Sequence, residues 1–225
     1  MENKKSAIVA IKILVKSKNI ILKSLEKIIK NNTSFSYRTF GVDIEKYISE
    51  ILIKIFKDNG LIQSKKDYFL APDKNYFPDF ELKTAPLLAI EYKSGNKIKL
   101  SKGRWVECKN SNNDMGTLNK WPEKIKKFGG ENIYYIFIIY KFDDKNKKIL
   151  DVQIAVFYKF IGLNKAKLLS YREKDGNLRP KNFGEKSAIP SLEEFKRLFE
   201  KTAIYRSERI IKKHKAILKN LRVKK

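Results

Sequence analysis

The sequence predicts an α/β (α+β) fold in which a central mixed β-sheet is flanked by helices. Three observations predict it. Hydrophobic residues make up 42% of the 225 positions, near the globular norm and enough to build a real core. The apolar period runs from helical to alternating and back to helical along the chain. No internal repeat or clear linker interrupts that order, so the expectation is one domain over 1–225. It divides into a helical N-terminal part (1–40), a sheet core (41–165) and a C-terminal part (166–225).

The elements follow in order. Ser6 to Lys30 carries Ile8, Ile11, Leu14, Ile21, Leu25, Ile28 and Ile29 at helical spacing, with a break expected at Lys18-Asn19. Asn31–Ser34 reads as a loop. Asp43 is the expected N-cap of a second helix whose face is Ile44, Tyr47, Ile48, Ile51 and Ile55, with Gly60 as its C-cap. Strands are then expected at Asp67–Leu70, at Phe77–Leu82 with Pro78 at its start, and at Leu87–Lys93 after the turn Thr84-Ala85-Pro86. Ser94–Gly116 reads as a basic loop. Lys120–Phe128 is a short helix closed by Gly129-Gly130. Two long aromatic and β-branched strands span Ile133–Phe142 and Ile149–Ile161. Leu168–Glu185 is polar. Ser191 and Glu194 form a capping box for a helix over Leu192–Lys201. From Lys201 onward ten Lys/Arg stand against one Glu, with Ile204, Ile210, Ile211, Ile217 and Leu218 as the apolar positions of a basic helix.

Fifty Lys+Arg against 25 Asp+Glu give a net charge of +25. A polyanion is the partner that such a charge favours, although only eight of the basic residues are arginine and a Lys- and Asn-rich composition explains part of the excess. Cys108 and His214 are the only residues of their kinds. That excludes an internal disulfide framework and a Cys-based zinc cluster. Cys108 reads as a packing residue and His214, in the basic tail, as non-catalytic. Trp105 and Trp121 read as packing residues. No run approaches the ~20 apolar residues of a membrane span. Lys12 and Lys16 interrupt the faintly signal-like start, so a cytoplasmic protein with no membrane partner is expected.

The chemistry concentrates in Pro78-Asp79, eleven residues, then Glu91-Tyr92-Lys93. If their two strands are neighbours, Asp79 and Glu91 meet at one sheet edge. Alternation points Glu91 and Lys93 to one side and Tyr92 to the other. Two carboxylates and an ammonium then converge on one point. Hard oxygen ligands of this kind suit Mg²⁺, which takes one or two carboxylates plus substrate phosphate. Lys93 could orient or deprotonate a water, or stabilise a phosphate as a cation. The apolar run Leu87–Ile90 would hold Glu91 on a rigid strand. A competing set, Pro72-Asp73 with Glu81-Leu82-Lys83, ranks lower because Pro78 interrupts the apolar run ahead of Glu81.

Pro-Asp, a spacer and Glu-x-Lys resemble the PD-(D/E)xK nuclease superfamily. The run Asn75-Tyr76-Phe77-Pro78-Asp79-Phe80-Glu81-Leu82 with Leu88-Ala89-Ile90-Glu91-Tyr92-Lys93-Ser94 resembles the catalytic segment of the EcoRV-like type II restriction endonucleases. The resemblance covers about Asp43 to Ser94, with Glu91 where those enzymes carry Asp and a longer segment between Gly60 and Asp79. It implies a restriction-endonuclease-like fold and Mg²⁺-dependent, sequence-specific cleavage of double-stranded DNA by a homodimer. It further implies that Asp79 and Glu91 bind Mg²⁺, that the Tyr92 carbonyl is a further ligand, and that Lys93 assists the attacking water. Glu45 would support a second metal or the scaffold.

Duplex affinity would come mainly from Lys and Arg on phosphates, and sequence readout from polar side chains on base edges. Candidate DNA contacts are Lys74 and Asn75 before Pro78, Ser94 at the end of the motif, and Lys102, Arg104 and Thr117 in the basic loop. A further group, Arg172, Lys174, Asn177, Arg179, Lys181 and Asn182, corresponds by order to the recognition loop of the EcoRV-like enzymes. The basic tail is a candidate phosphate arm, and the N-terminal helices a candidate dimer interface. The alternatives are a repair or junction-resolving nuclease on the same scaffold and a non-enzymatic basic DNA- or RNA-binding protein.

Overall fold

The computed structural model describes residues 6–32, 35–36, 39–73, 76–99, 105–107, 114–143, 146–181 and 187–222. Helices α1 (Ala7–Lys16) and α2 (Lys18–Asn31) are separated at Ser17, one residue before the expected break. There the Ser17 hydroxyl donates to the Ile13 carbonyl at 2.8 Å, a side-chain bond of the kind that competes with the helix ladder. Helix α3 (Phe40–Asp58) begins earlier than expected, with Thr39 as N-cap and Asp43 inside the first turn. Asp43 still suits that place, because a carboxylate near the N-terminus complements the helix dipole. Gly60 follows the helix at φ +71°, where a residue without Cβ is favoured, and the Leu61 amide closes the end onto the Phe56 carbonyl at 2.8 Å.

The sheet has the order β1-β2-β3-β5-β6, with β1 (Tyr68–Leu70), β2 (Phe80–Leu82), β3 (Leu88–Lys99), β4 (Trp105–Glu107), β5 (Ile133–Asp143) and β6 (Asn146–Val156). Among the described strands only β3 and β5 pair in parallel. They are connected through β4 and helix α4 (Trp121–Phe128). The expected basic loop after Ser94 is partly strand. β3 runs on to Lys99, and Lys97–Lys99 pairs with β4. Charged residues tolerate a hairpin whose partner supplies the backbone bonds, and composition alone hid it. The last strand is shifted toward the N-terminus, with a 3-10 turn over Phe157–Lys159.

Alternation along the central strands divides the interior in two. Leu88, Ile90, Tyr92, Ile136 and Ile138 pack with α1, α2 and α3. Ala89, Ile133, Tyr135, Phe137 and Ile139 pack with Trp121 and Phe128 of α4 and with Leu192, Phe195 and Leu198 of the last helix. Helix α5 (Leu192–Arg222) is one 31-residue element rather than two. Its Ser191 hydroxyl accepts from the Glu194 amide at 3.2 Å. The Glu194 carboxylate turns to Arg197 instead of completing the box. Beyond Thr202 the helix leaves the core, and Ile204, Ile211, Ile217, Leu218 and Leu221 are exposed. Among the described residues no helix is long and apolar enough to cross a membrane.

Candidate active site

β2 and β3 pair with Phe80 opposite Ile90 and Leu82 opposite Leu88. One step further along this register sets Asp79 opposite Glu91, and opposite residues of an antiparallel pair share a face. The ladder itself stops at Phe80. Asp79 replaces the next rung with its side chain, Oδ2 accepting the Tyr92 backbone N–H at 2.6 Å. A strand residue directs its N–H and C=O to the same side. The Tyr92 carbonyl therefore faces the Asp79 edge, while its ring turns to the α3 side and its hydroxyl lies 3.2 Å from Ser49 Oγ.

Glu91 is buried. Its Oε1 accepts from Lys93 Nζ at 2.7 Å, whereas Oε2 is buried with no hydrogen-bond partner among the described residues. Tyr135 lies directly opposite Glu91 on β5 and walls that side. Burial, and then the charge of Glu91, push the Asp79 carboxyl up to about 7. Burial alone would lower the Lys93 ammonium, but Glu91, Asp79 and Glu45 together outweigh it and raise it.

Glu45 reaches the same place from α3. Burial raises the pKa of its carboxyl, while the Lys93 ammonium and the neighbouring Ser94 oppose the rise. Gly41, one turn earlier on that helix face, permits the approach: a methyl group there would stand 2.5 Å from Ser94 Oγ. Ser94, expected among the DNA contacts, is thus engaged with Glu45. The competing Glu81 is buried but is bonded to Lys83 and to Lys127 of α4. Those two ammonium groups hold its carboxyl below the usual range against the opposing effect of burial.

The remaining candidates are placed as follows. Asp114 bridges Arg172 and Arg179, and Arg172 also clasps Asp175. Thr117 bridges to Asn177 through the backbone, its hydroxyl buried without a partner among the described residues. Lys174 and Lys181 are exposed. Lys74, Asn75, Lys102, Arg104 and Asn182 lie outside the described residues, as does Cys108. His214 is exposed on α5.

Sequence reasoning missed Lys124. Trp121, Lys124, Ile125 and Phe128 occupy i, i+3, i+4 and i+7, so the lysine stands in the stripe that faces the sheet. That spacing was the available signal. Its Nζ lies 3.6 Å from the Phe77 ring centroid and 5.0 Å from that of Trp121. Burial lowers its pKa to about 8, while Glu91 and Asp79 oppose the shift.

Among solved structures, the chain is similar to the NlaIV restriction endonuclease, with a TM-score of 0.53 and 17% identity over 76% of this chain and 66% of that one. The fold is restriction-endonuclease-like. The match spans just under two thirds of NlaIV. No family model matches the sequence, and no curated protein does.

Within that fold the donor set can be tested against a divalent ion. Among the described residues no group of three or more His, Cys, Asp and Glu side chains forms a metal cage. Mg²⁺ does not need one, since it binds through one or two carboxylates and keeps waters and phosphate oxygens for the rest. Two carboxylates pushed against each other, an unpartnered buried Glu91 Oε2 and a carbonyl on the same edge fit such an ion.

Proposed function

We propose that the protein is a type II restriction endonuclease of the EcoRV-like PD-(D/E)xK kind, hydrolysing phosphodiester bonds of double-stranded DNA with Mg²⁺. The observation that carries this reading is the meeting of Asp79, immediately before β2, with Glu91 of the adjacent β3 in a restriction-endonuclease-like sheet, with Lys93 bonded to Glu91. Asp79 and Glu91 would hold the ion, with the Tyr92 carbonyl as a further ligand. When bound, it supplies a more acidic water and neutralises charge on the phosphate.

The chain's own groups do the rest. The Tyr92 amide fixes Asp79. Glu91 fixes Lys93, whose ammonium orients the attacking water or meets the charge that grows on the phosphate. Glu45, tied to Ser94, supports the arrangement from α3. The buried wall of Tyr135 limits water on the β5 side. The +25 charge supplies the salt-dependent grip on the duplex. A two-fold dimer would set one site on each strand.

Digestion of a sequenced phage genome with Mg²⁺, followed by end mapping, tests the proposal. Discrete fragments sharing one terminal sequence are expected. Nicking, or cutting confined to branched DNA, would favour a repair or junction-resolving nuclease on this scaffold. Salt-sensitive binding without hydrolysis would favour a non-enzymatic binding protein.

A further inference from the structure

Beside the site lies a second ammonium that no carboxylate among the described residues neutralises by contact. Lys124 reaches it from α4, whereas Lys93 comes from β3. The two cations differ in their engagement. Lys93 is spent on Glu91 at 2.7 Å. Lys124, among the described residues, touches no carboxylate; its ammonium lies over the faces of Phe77 and Trp121. A methyl group on Gly116 would stand 3.0 Å from its Nζ, so the ammonium lies close against that loop. It still feels Glu91 and Asp79 electrostatically, with Lys93 and Lys120 acting against them.

Desolvating an ammonium is costly unless it is paired. Aromatic faces offset that cost in part. What remains is a cation held in place by two rings, in the first turns of a helix whose dipole also favours anions there, beside the carboxylate pair. Phe77 precedes the cis Pro78 and Asp79, so one short segment positions both the lysine's aromatic support and a site carboxylate.

We propose that Lys124 binds a DNA phosphate at the active site, as a substrate-contacting residue additional to Lys93 and positioned by Phe77 and Trp121. The inference rests on the nuclease reading for its substrate, and duplex binding tests it separately from cleavage.

The test uses Lys124→Met and Lys124→Arg in the full chain. Both keep the stem over the rings, and thermal unfolding checks that both fold. Binding of a random-sequence duplex oligonucleotide is measured in EDTA across a salt series. Lys124→Met is expected to reduce the steepness of log Kobs against log salt by about 1, the loss of one phosphate contact, and Lys124→Arg to keep it. With Mg²⁺, single-turnover cleavage by Lys124→Met should slow about tenfold or more, with Lys124→Arg intermediate. An unchanged salt slope in Lys124→Met overturns the assignment, as does a loss that Lys124→Arg fails to restore, which is the mark of a packing role. If the wild type binds duplex but hydrolyses nothing, the nuclease reading fails, and the salt slope alone still decides Lys124.

Discussion

The Asp79 carboxylate accepts the backbone N–H of Tyr92 at 2.6 Å, at the point where the β2–β3 ladder ends. One side chain thus does two jobs: it ends the β2–β3 ladder and brings an acid to Glu91. The two jobs separate in mutants. Asp79→Asn keeps an acceptor for the amide and should fold normally. Asp79→Ala leaves a half-buried N–H unpaired and should cost about 1–2 kcal/mol more in denaturant unfolding.

The same carboxyl sets a pH dependence. Its pKa in the folded protein is about 7, against 3.8 for the free group. Between those values the folded state holds a proton that the unfolded state has lost. The resulting stability is full below pH ~4 and disappears as pH rises through ~7. Wild type should therefore lose stability from pH 5 to pH 8 more steeply than Asp79→Asn, which should be the more stable of the two at pH 8 by roughly 1–3 kcal/mol. Equal pH slopes in thermal unfolding would show that burial and Glu91 do not raise the Asp79 carboxyl.

A divalent ion should reverse that repulsion. Any ligand of the folded state alone raises its stability by mass action. Millimolar Mg²⁺ or Ca²⁺ is expected to raise the Tm of wild type at pH 8 and to leave that of Asp79→Asn nearly unchanged. A similar rise in both would place the ion elsewhere.

Glu81 and Glu91 offer an internal control. Both are buried glutamates with a lysine two residues on, but Glu81 is neutralised by Lys83 and Lys127 while Glu91 keeps an unpartnered oxygen. Glu81→Gln should lower stability by about 1–2 kcal/mol and leave cleavage near wild type. Glu91→Gln should abolish cleavage. The opposite pattern would make Glu81 the working acid.

Asp114 holds the segment that carries Arg172 and Arg179. Asp114→Ala should release the Arg179 guanidinium, leave Arg172 held by Asp175 alone, and loosen the backbone pairing of Met115 and Gly116 with Leu178. Amide exchange at Asn177, Leu178 and Arg179 is expected to accelerate about tenfold, equivalent to roughly 1.4 kcal/mol of local stability.

Much of this architecture is legible in residue order. Helical spacing locates α3 and the apolar run locates β3, because a buried stripe or strand must be apolar whatever it packs against. The convergence of Asp79, Glu91 and Lys93 follows from alternation once β2 and β3 are neighbours. β4 was not legible, since three residues in a charged stretch carry no period. The unbroken run of α5 was hidden because its exposed half keeps only scattered apolar positions. Lys124 was visible as a lysine in an apolar stripe. Its meaning depends on Phe77 and Glu91, which only the tertiary packing brings near. The ion pairs of Arg172 and Arg179 with Asp114 join residues more than fifty positions apart, which no local pattern reports.

The most direct test compares wild type, Asp79→Asn and Lys93→Ala on phage DNA with Mg²⁺, with duplex binding measured alongside in EDTA. The account predicts hydrolysis by the wild type, a loss of about a thousandfold or more in both variants, and binding within a few fold of wild type. Full cleavage by either variant would contradict the assignment of the site.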